Sequence, residues 1–299
     1  LIDCIQKGDE AAFRQLVERF HGRLCAYAAR RLSGSGIDGE DAVQETFLGL
    51  LQGIEKAPDR LAQVRSLEAY LFQILRNKIF DLTAKRPEAH GLQRVPLASE
   101  DADGLIGGFE PLAPGGTPSS HVRKDEDMHA RRRILADILE EVISALREEK
   151  AFRDLKILEL LFFSSWRNRD IAAAVDTSEP TVTRVKQEAL AKLSRLAARH
   201  PLGSSAVNFL EEEDASRIIQ GTWRANLLSC VKRSTLGAFA LGALEPEWRD
   251  YVAFHLDVAG CETCAANLQD MKNEGNPAKT DAPGRVFTSS IGFLRKLQR

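Results

Sequence analysis

Three cysteines and one histidine near the carboxyl end of the chain have the residue types and spacing to bind a metal ion. Cys261 and Cys264 form a C-x2-C pair, and Cys230 and His255 precede it. The two-residue gap lets both sulfurs reach one ion from a tight turn, which Gly260 would permit. Three thiolates and an imidazole complete a tetrahedral ligand set, so we predict one structural zinc ion.

The other two cysteines, Cys4 and Cys25, lie at apolar positions of predicted helices, and we expect buried thiols there rather than ligands. No charged segment followed by an apolar one precedes the first domain, so we expect a cytoplasmic protein. The longest apolar run, residues 157–163, is interrupted by Glu159 and is too short to cross a bilayer, so we expect no membrane contact. In a reducing compartment, cysteines favour free thiols or metal ligands over a disulfide framework.

A second group of candidate residues lies in a helix-turn-helix pattern between residues 168 and 196. Residues 170–175 predict a short helix, residues 176–178 a turn, and residues 181–196 a second helix. In the second helix we expect four buried residues: Val182, Val185, Leu190 and Leu193. Hydroxyls, an amide and cations that could contact base edges and phosphates in a major groove face outward: Thr181, Thr183, Arg184, Lys186 and Gln187. The alternative is an ordinary helical hairpin with a solvated face.

The amino-terminal part predicts a bundle of three amphipathic helices, from about Glu10, from about Gly39 to Gly53, and from about Ser66 to Ala84. The second helix has an apolar stripe that comprises Val43, Phe47, Leu50 and Ile54. Its outward residues are Asp41, Gln44, Glu45 and Leu48. On the third helix we expect a core of Tyr70, Leu71, Ile74 and Leu75, followed by two cations and an amide: Arg76, Asn77 and Lys78.

Composition favours helices throughout, because alanine and leucine are abundant and β-branched runs are few. The net charge of the 299-residue chain is only -2, so any contact with nucleic acid must come from local clusters. Between residues 87 and 127 the periodicity fails and acidic side chains outnumber basic ones. We therefore predict an all-α protein with these divisions: a helical bundle at 1–86, a flexible acidic linker at 87–127, a helix-turn-helix domain at 128–199, a linker at 200–213, a small helical zinc-binding domain at 214–273 and a tail at 274–299.

The order of these motifs resembles a bacterial sigma factor of the extracytoplasmic-function (ECF) type. The motif at residues 8–13, then Asp41-x-x-Gln44-Glu45-x-Phe47, then residues 70–78 resemble sigma region 2, and residues 155–196 resemble sigma region 4. The resemblance implies that Asp41, Gln44, Glu45 and Leu48 bind the RNA polymerase core enzyme. It also implies that the region of Arg76, Asn77 and Lys78 binds the melted minus-10 element, while the helix from Thr181 binds the minus-35 element.

The cysteine-bearing segment resembles a zinc-binding anti-sigma domain. The gap of five residues between His255 and Cys261 departs from the usual three, which makes His255 the weakest member of the set. Two roles remain open for this segment: a fused regulator that contacts the sigma-like domains within the chain, or a permanent docking module.

We expect a promoter-recognition factor whose partners are the RNA polymerase core enzyme and promoter DNA, and which has no catalysis of its own. No Ser/His/Asp set or pair of carboxylates recurs at a catalytic spacing. The alternative is a helix-turn-helix regulator that binds duplex DNA without the polymerase. The acidic linker would serve either as a mimic of nucleic acid inside the polymerase or as a plain tether.

Overall fold

A computed structural model describes residues 1–56, 64–84, 118–199, 215–274 and 282–295. These residues form helices and include no strand, which confirms the predicted all-α class. They belong to two compact units, one formed by Leu1–Val95 with Glu262–Arg299 and the other by Pro96–Cys261. Most of the predicted acidic linker and all of the predicted linker at 200–213 lie outside the described residues.

The described helices, in chain order, are α1 (Ile2–Gln6), α2 (Glu10–Arg31), α3 (Gly39–Lys56), α4 (Leu67–Ala84), α5 (Pro118–Glu148), α6 (Phe152–Phe162), α7 (Asn168–Ala174), α8 (Glu179–Arg199), α9 (Ala215–Ala225), α10 (Arg233–Ala240), α11 (Pro246–Asp257), α12 (Glu262–Glu274) and α13 (Ala282–Leu294). Helix α5 begins ahead of Met128, where apolar periodicity resumes. Polar residues in the preceding stretch allow a helix without showing an apolar face.

In the first unit, α2, α3 and α4 pack against one another as a bundle. Asp9 caps α2, since its Oδ1 accepts hydrogen bonds from the backbone N–H groups of Ala11 and Ala12 at 2.9 and 3.0 Å. The apolar stripe predicted on α3 is buried in full. On α4 the prediction was partly wrong, because Phe72 is fully buried and meets the Tyr27 ring, whereas Tyr70 is only half-buried.

Helices α12 and α13 belong to this same unit, where α12 packs on α2 and α13 packs on both α2 and α3. The approach of α12 is close at Gly22, where a Cβ atom would lie 2.0 Å from Oδ1 of Asp270. Helix α13 is held by an aromatic contact, with the Phe287 and Phe13 ring centroids 6.0 Å apart. The Arg14 guanidinium carbon also lies 4.0 Å from the centre of the Phe287 ring.

Ion pairs support these two helices at three points of the first unit. Their nitrogen to oxygen distances are 2.8 to 3.0 Å, and the pairs are Arg31 with Glu262, Arg285 with Glu40, and Arg295 with Glu10. All three are at least partly exposed, so each contributes little to stability alone. The boundary between the two units falls after Cys261. It therefore divides the segment 214–273, which was predicted as one zinc-binding domain.

In the second unit, α5 and α6 pack with α8, and α9 and α11 lie against this group. Aromatic side chains join α11 to α6: the Phe152 ring stacks on Tyr251 at 5.2 Å and meets Trp248 edge-on at 5.0 Å. Burial raises the pKa of the Tyr251 phenol, which donates a hydrogen bond to the Ser229 carbonyl at 3.3 Å.

The prediction for Cys4 was wrong, because its side chain is exposed on the short helix α1, where Ile5 faces the core instead. Cys25 is half-buried, and burial is the main cause that raises the pKa of its thiol to about 12. The thiol of Cys25 therefore stays protonated near neutral pH. Within the described ranges, no helix combines the length and apolar character required to cross a bilayer.

Candidate functional sites

The predicted metal ligands form a compact group in the structure. The ligand atoms of Cys230, His255, Cys261 and Cys264 all lie within 4.8 Å of one another, and the sulfurs of Cys230 and Cys261 are 3.5 Å apart. Two thiolates on a tetrahedral zinc ion with bonds of about 2.3 Å would be separated by about 3.8 Å. His255 and Cys264 are fully buried and Cys261 is 1% exposed, so the group has the closed environment of a structural site. The residues present could therefore hold one metal ion.

The turn before the C-x2-C pair has the geometry that the pair requires. Gly260 adopts a φ of +68°, a conformation that is costly for residues with a Cβ atom. The backbone N–H of Cys261 then donates to the His255 carbonyl at 3.1 Å, which ties the pair to the end of α11. The Ser164 hydroxyl donates to the Ala259 carbonyl at 3.1 Å and fixes the turn from the other side.

The loop that carries Cys230 is held through its neighbour Ser229. The Trp223 indole N–H donates to the Ser229 hydroxyl at 2.9 Å, and the Arg147 guanidinium donates to the Ser229 carbonyl at 2.6 Å. Together with Tyr251, these side chains position the first thiol from three different helices. Such surrounding contacts orient metal ligands before the ion binds.

His255 has a buried acidic partner that the sequence did not reveal. Oε1 of Glu159, on α6, lies 2.5 Å from Nδ1 of His255, and both side chains are 0% exposed. In the sequence Glu159 merely interrupts an apolar run. The two residues are 96 positions apart on separate helices, and no local sequence pattern indicates a contact over that distance.

The helix-turn-helix pattern corresponds to α7 and α8, which pack on each other and on α6. Asp176 has a φ of +50° in the turn between them, where a glycine is frequent in this motif. Ser178 Oγ accepts a weak hydrogen bond from the Thr181 N–H at 3.4 Å, just before α8 begins. Val182 and Val185 are buried as predicted, but Ala189 rather than Leu190 continues the buried stripe.

The candidate base-contacting residues lie at the start of α8. Thr183, Arg184 and Gln187 are exposed, whereas Thr181 and Lys186 are half-buried. Arg184 NH1 donates to both carboxylate oxygens of Glu188 at 2.7 and 2.8 Å, and this contact raises the pKa of the arginine. Any phosphate or base that binds Arg184 must therefore compete with Glu188.

On α4 the two predicted cations are engaged within the bundle. Arg76 donates to Gln73 Oε1 at 2.9 Å, and Lys78 pairs with Glu45 of α3 at 3.2 Å. The Asn77 amide oxygen accepts from the Gln73 side chain at 3.2 Å. All three remain half-buried rather than enclosed.

Sequence reasoning overlooked Phe80, whose side chain is 63% exposed next to these polar residues on α4. An exposed aromatic ring beside cations is the arrangement on which unpaired bases stack. Tyr70, an aromatic residue near the start of the same helix, is half-buried, and burial raises its pKa. The sequence could have indicated this exposure, because Phe80 lies on the side of the helix away from the predicted core residues Leu71 and Ile74.

The predicted polymerase-binding residues share one side of α3. Asp41 and Glu45 are exposed, and Gln44 and Leu48 are half-buried. Glu40 beside them forms the 3.0 Å ion pair with Arg285 of α13. Helix α13 thus contacts α3 at Glu40, the residue that precedes Asp41 in the chain.

Comparison with known proteins bears on the amino-terminal helices. Residues 16–87 match the family described as Sigma-70 region 2. The RNA polymerase sigma factor NccH of Alcaligenes xylosoxydans xylosoxydans is 37% identical over 86 residues, which are 29% of this chain and 44% of that protein. The chain therefore spans less than half the length of this curated relative. No solved structure shows a significant match to the chain. The part of the molecule that these matches identify as similar to sigma-70 region 2 is the bundle of α2, α3 and α4.

Proposed function

We propose that this chain is an RNA polymerase sigma factor of the ECF type that acts in the cytoplasm on promoter DNA. The observation that carries the proposal is the match of residues 16–87 to Sigma-70 region 2. The exposed acids of α3 would bind the core enzyme, α4 would bind the melted minus-10 strand, and α8 would enter the major groove of the minus-35 element. The protein contributes binding energy and selectivity, while the bond-forming chemistry belongs to the polymerase.

The direct test is transcription from genomic promoters by purified core enzyme with and without this chain. We expect specific initiation only when the chain is present. Replacing Asp41 and Glu45 together by alanine should reduce core binding, because both exposed carboxylates would be lost from the contact surface. Exchange of Glu55, exposed at the far end of the same helix, is the matched control. Absence of core binding by the parent protein would refute the proposal.

A helix-turn-helix regulator that binds duplex DNA alone would behave differently. It would protect a specific site from cleavage without the core enzyme. A sigma factor should give that protection only as part of the holoenzyme. Footprinting with and without core polymerase separates these two functions.

We propose that Cys230, His255, Cys261 and Cys264 bind one structural zinc ion. The support is the donor set, the spacing of the ligand atoms within 4.8 Å and the burial of three of the four residues. Because Cys261 and Cys264 are buried, a structural role is favoured over a redox switch, which needs accessible thiolates. Metal analysis of the parent and of Cys261→Ser should give one zinc ion per chain and none, respectively.

We further propose that α12 and α13 regulate access of the polymerase to α2 and α3, within the first unit. The contact of α13 with α2 and α3, and the Arg285 to Glu40 pair beside the expected polymerase surface, support a covering role over a separate docking role. In this arrangement the holoenzyme forms when α13 leaves α3.

A substitution within α13 tests this role without shortening the chain. Phe287 is 5% exposed against Phe13, so Phe287→Asp should release α13 and raise the affinity for core polymerase several-fold. Thr288→Asp, at the exposed neighbouring position, adds the same charge without disturbing the contact. Unchanged or weaker core binding by Phe287→Asp would contradict the covering role.

A further inference from the structure

Glu159 is a fully buried acid in a helix that otherwise buries apolar side chains. Its neighbours Leu158 and Leu160 are 3% and 0% exposed. Burying a carboxylate costs free energy unless a hydrogen-bonding or charged partner compensates. The partner is His255, at 2.5 Å from Oε1, while Oε2 has no hydrogen-bond partner among the described residues. An apolar residue would pack here at less cost, so the acid requires a reason beyond stability.

The geometry of this pair shows which imidazole nitrogen Glu159 binds: Oε1 lies 2.5 Å from Nδ1 of His255. A carboxylate only accepts hydrogen bonds, so Nδ1 of His255 carries the proton that it donates to Glu159. The lone pair then resides on Nε2, which is the nitrogen left to coordinate an ion together with the three cysteines. A carboxylate behind a metal-bound histidine fixes the ring orientation and makes the imidazole a stronger donor.

We propose that Glu159 is the positioning residue of the metal centre, holding His255 so that Nε2 faces the zinc ion. The inference deepens the proposed zinc site and rests on it. It also accounts for the unusual spacing of His255, since the orientation of the imidazole is set from α6 rather than by the turn that precedes Cys261. Because α6 packs on α8, the metal centre is connected through Glu159 to the helix that carries Arg184.

The test compares zinc affinity in full-length variants by competition with a chromophoric chelator. Glu159→Leu should lose about 10- to 100-fold in affinity, the usual cost of removing an outer partner of a metal ligand. Glu159→Gln keeps an acceptor for Nδ1 but loses the charge, so it should retain most of that affinity. Ile157→Val, a conservative change at another buried position of α6, controls for loosening of the helix.

Two further measurements distinguish positioning from a general structural role. Cobalt-substituted protein should show altered visible bands in Glu159→Leu, because a displaced imidazole changes the ligand field. The metal-free thermal midpoint of Glu159→Leu reports the effect on the fold separately, since this variant leaves the buried Nδ1–H of His255 without its acceptor.

The outcomes separate cleanly. If Glu159→Leu binds zinc within threefold of the parent, the inference is wrong. A drop in the metal-free midpoint without loss of affinity would likewise assign Glu159 to the fold alone. If the parent chain itself binds no zinc, the proposed metal site fails and the positioning role fails with it. Parent binding with weakened binding by Glu159→Leu supports both.

Discussion

Two of the cations that we propose to bind DNA already pair with carboxylates of this chain. Arg184 is exposed at the start of α8, yet its guanidinium is already bound by Glu188. Lys78 on α4 is likewise paired with Glu45. Exposed pairs of this kind add little stability, so breaking them to bind a DNA phosphate would cost little free energy.

At the residue scale, Glu188→Gln should strengthen binding of the holoenzyme to minus-35 DNA, by about two- to fivefold, because the Glu188 carboxylate no longer competes with DNA for Arg184. Arg184→Ala should weaken it by roughly tenfold or more, as for loss of one specific base or phosphate contact. Fluorescence anisotropy with a labelled promoter measures both. Core binding should be unchanged in each variant, and a parallel loss of core affinity would argue against a DNA role.

Phe80 provides a second test at this scale. If its ring stacks on an unpaired base, Phe80→Ala should cost about 1–3 kcal/mol in affinity for single-stranded minus-10 DNA. Phe80→Tyr preserves the aromatic face and should bind nearly as well as the parent. The measurement is strand binding by the holoenzyme, and equal affinities for all three proteins would exclude stacking at this position.

The helices are the scale at which sequence reasoning succeeded most fully. The buried stripe of α3 and the existence of α7 and α8 follow from apolar spacing, a local property that a sequence displays directly, although the ends of α7 and α8 differ from the predicted ones by one to three residues. Contacts between distant helices do not have such a signal. Glu159 and His255 meet 96 positions apart, and α12 packs on α2 from the other end of the chain. The four predicted metal ligands do lie close together, and their residue types alone, three cysteines and a histidine, marked them as candidates.

The turn between α7 and α8 yields a prediction about an element. Asp176 adopts a φ of +50°, which costs a β-branched residue about 1–2 kcal/mol. Asp176→Val should therefore lower the free energy of unfolding of the second unit by about that amount, whereas Asp176→Gly should leave it nearly unchanged. Chemical denaturation measures both, and an equal loss in the two variants would indicate that the aspartate side chain, rather than the backbone, matters.

At the scale of the whole molecule, segments that are remote in sequence come together at two places. These are the proposed metal centre and the contacts of α12 and α13 with the first helices. Zinc would join Cys230, in the loop after α9, to His255 and the C-x2-C pair, which lie at least 25 positions further along the chain. Free energy of metal binding is then also free energy of folding for these segments.

Removal of zinc should accordingly lower the thermal midpoint of the chain. We expect a chelator to destabilise the parent and to leave Cys261→Ser unaffected, because that variant has no ion to lose. Differential scanning calorimetry provides the measurement. A parent midpoint that does not respond to the chelator, despite verified loss of zinc, would show that the ion does not support the fold.

Phe13 and Phe287 pack together although they lie near opposite ends of the chain. At about 5–20 residues per second, a ribosome needs on the order of tens of seconds to make the residues between them. During synthesis, the helices α2 and α3 therefore exist for some time before α13 can reach them. Under the proposed covering role, a chain still being made would meet RNA polymerase in that interval, before α13 is present to compete. If α13 has the proposed covering role, slow translation of the segment between these two residues would prolong the interval, and translation speed would then influence how much of the factor the polymerase captures.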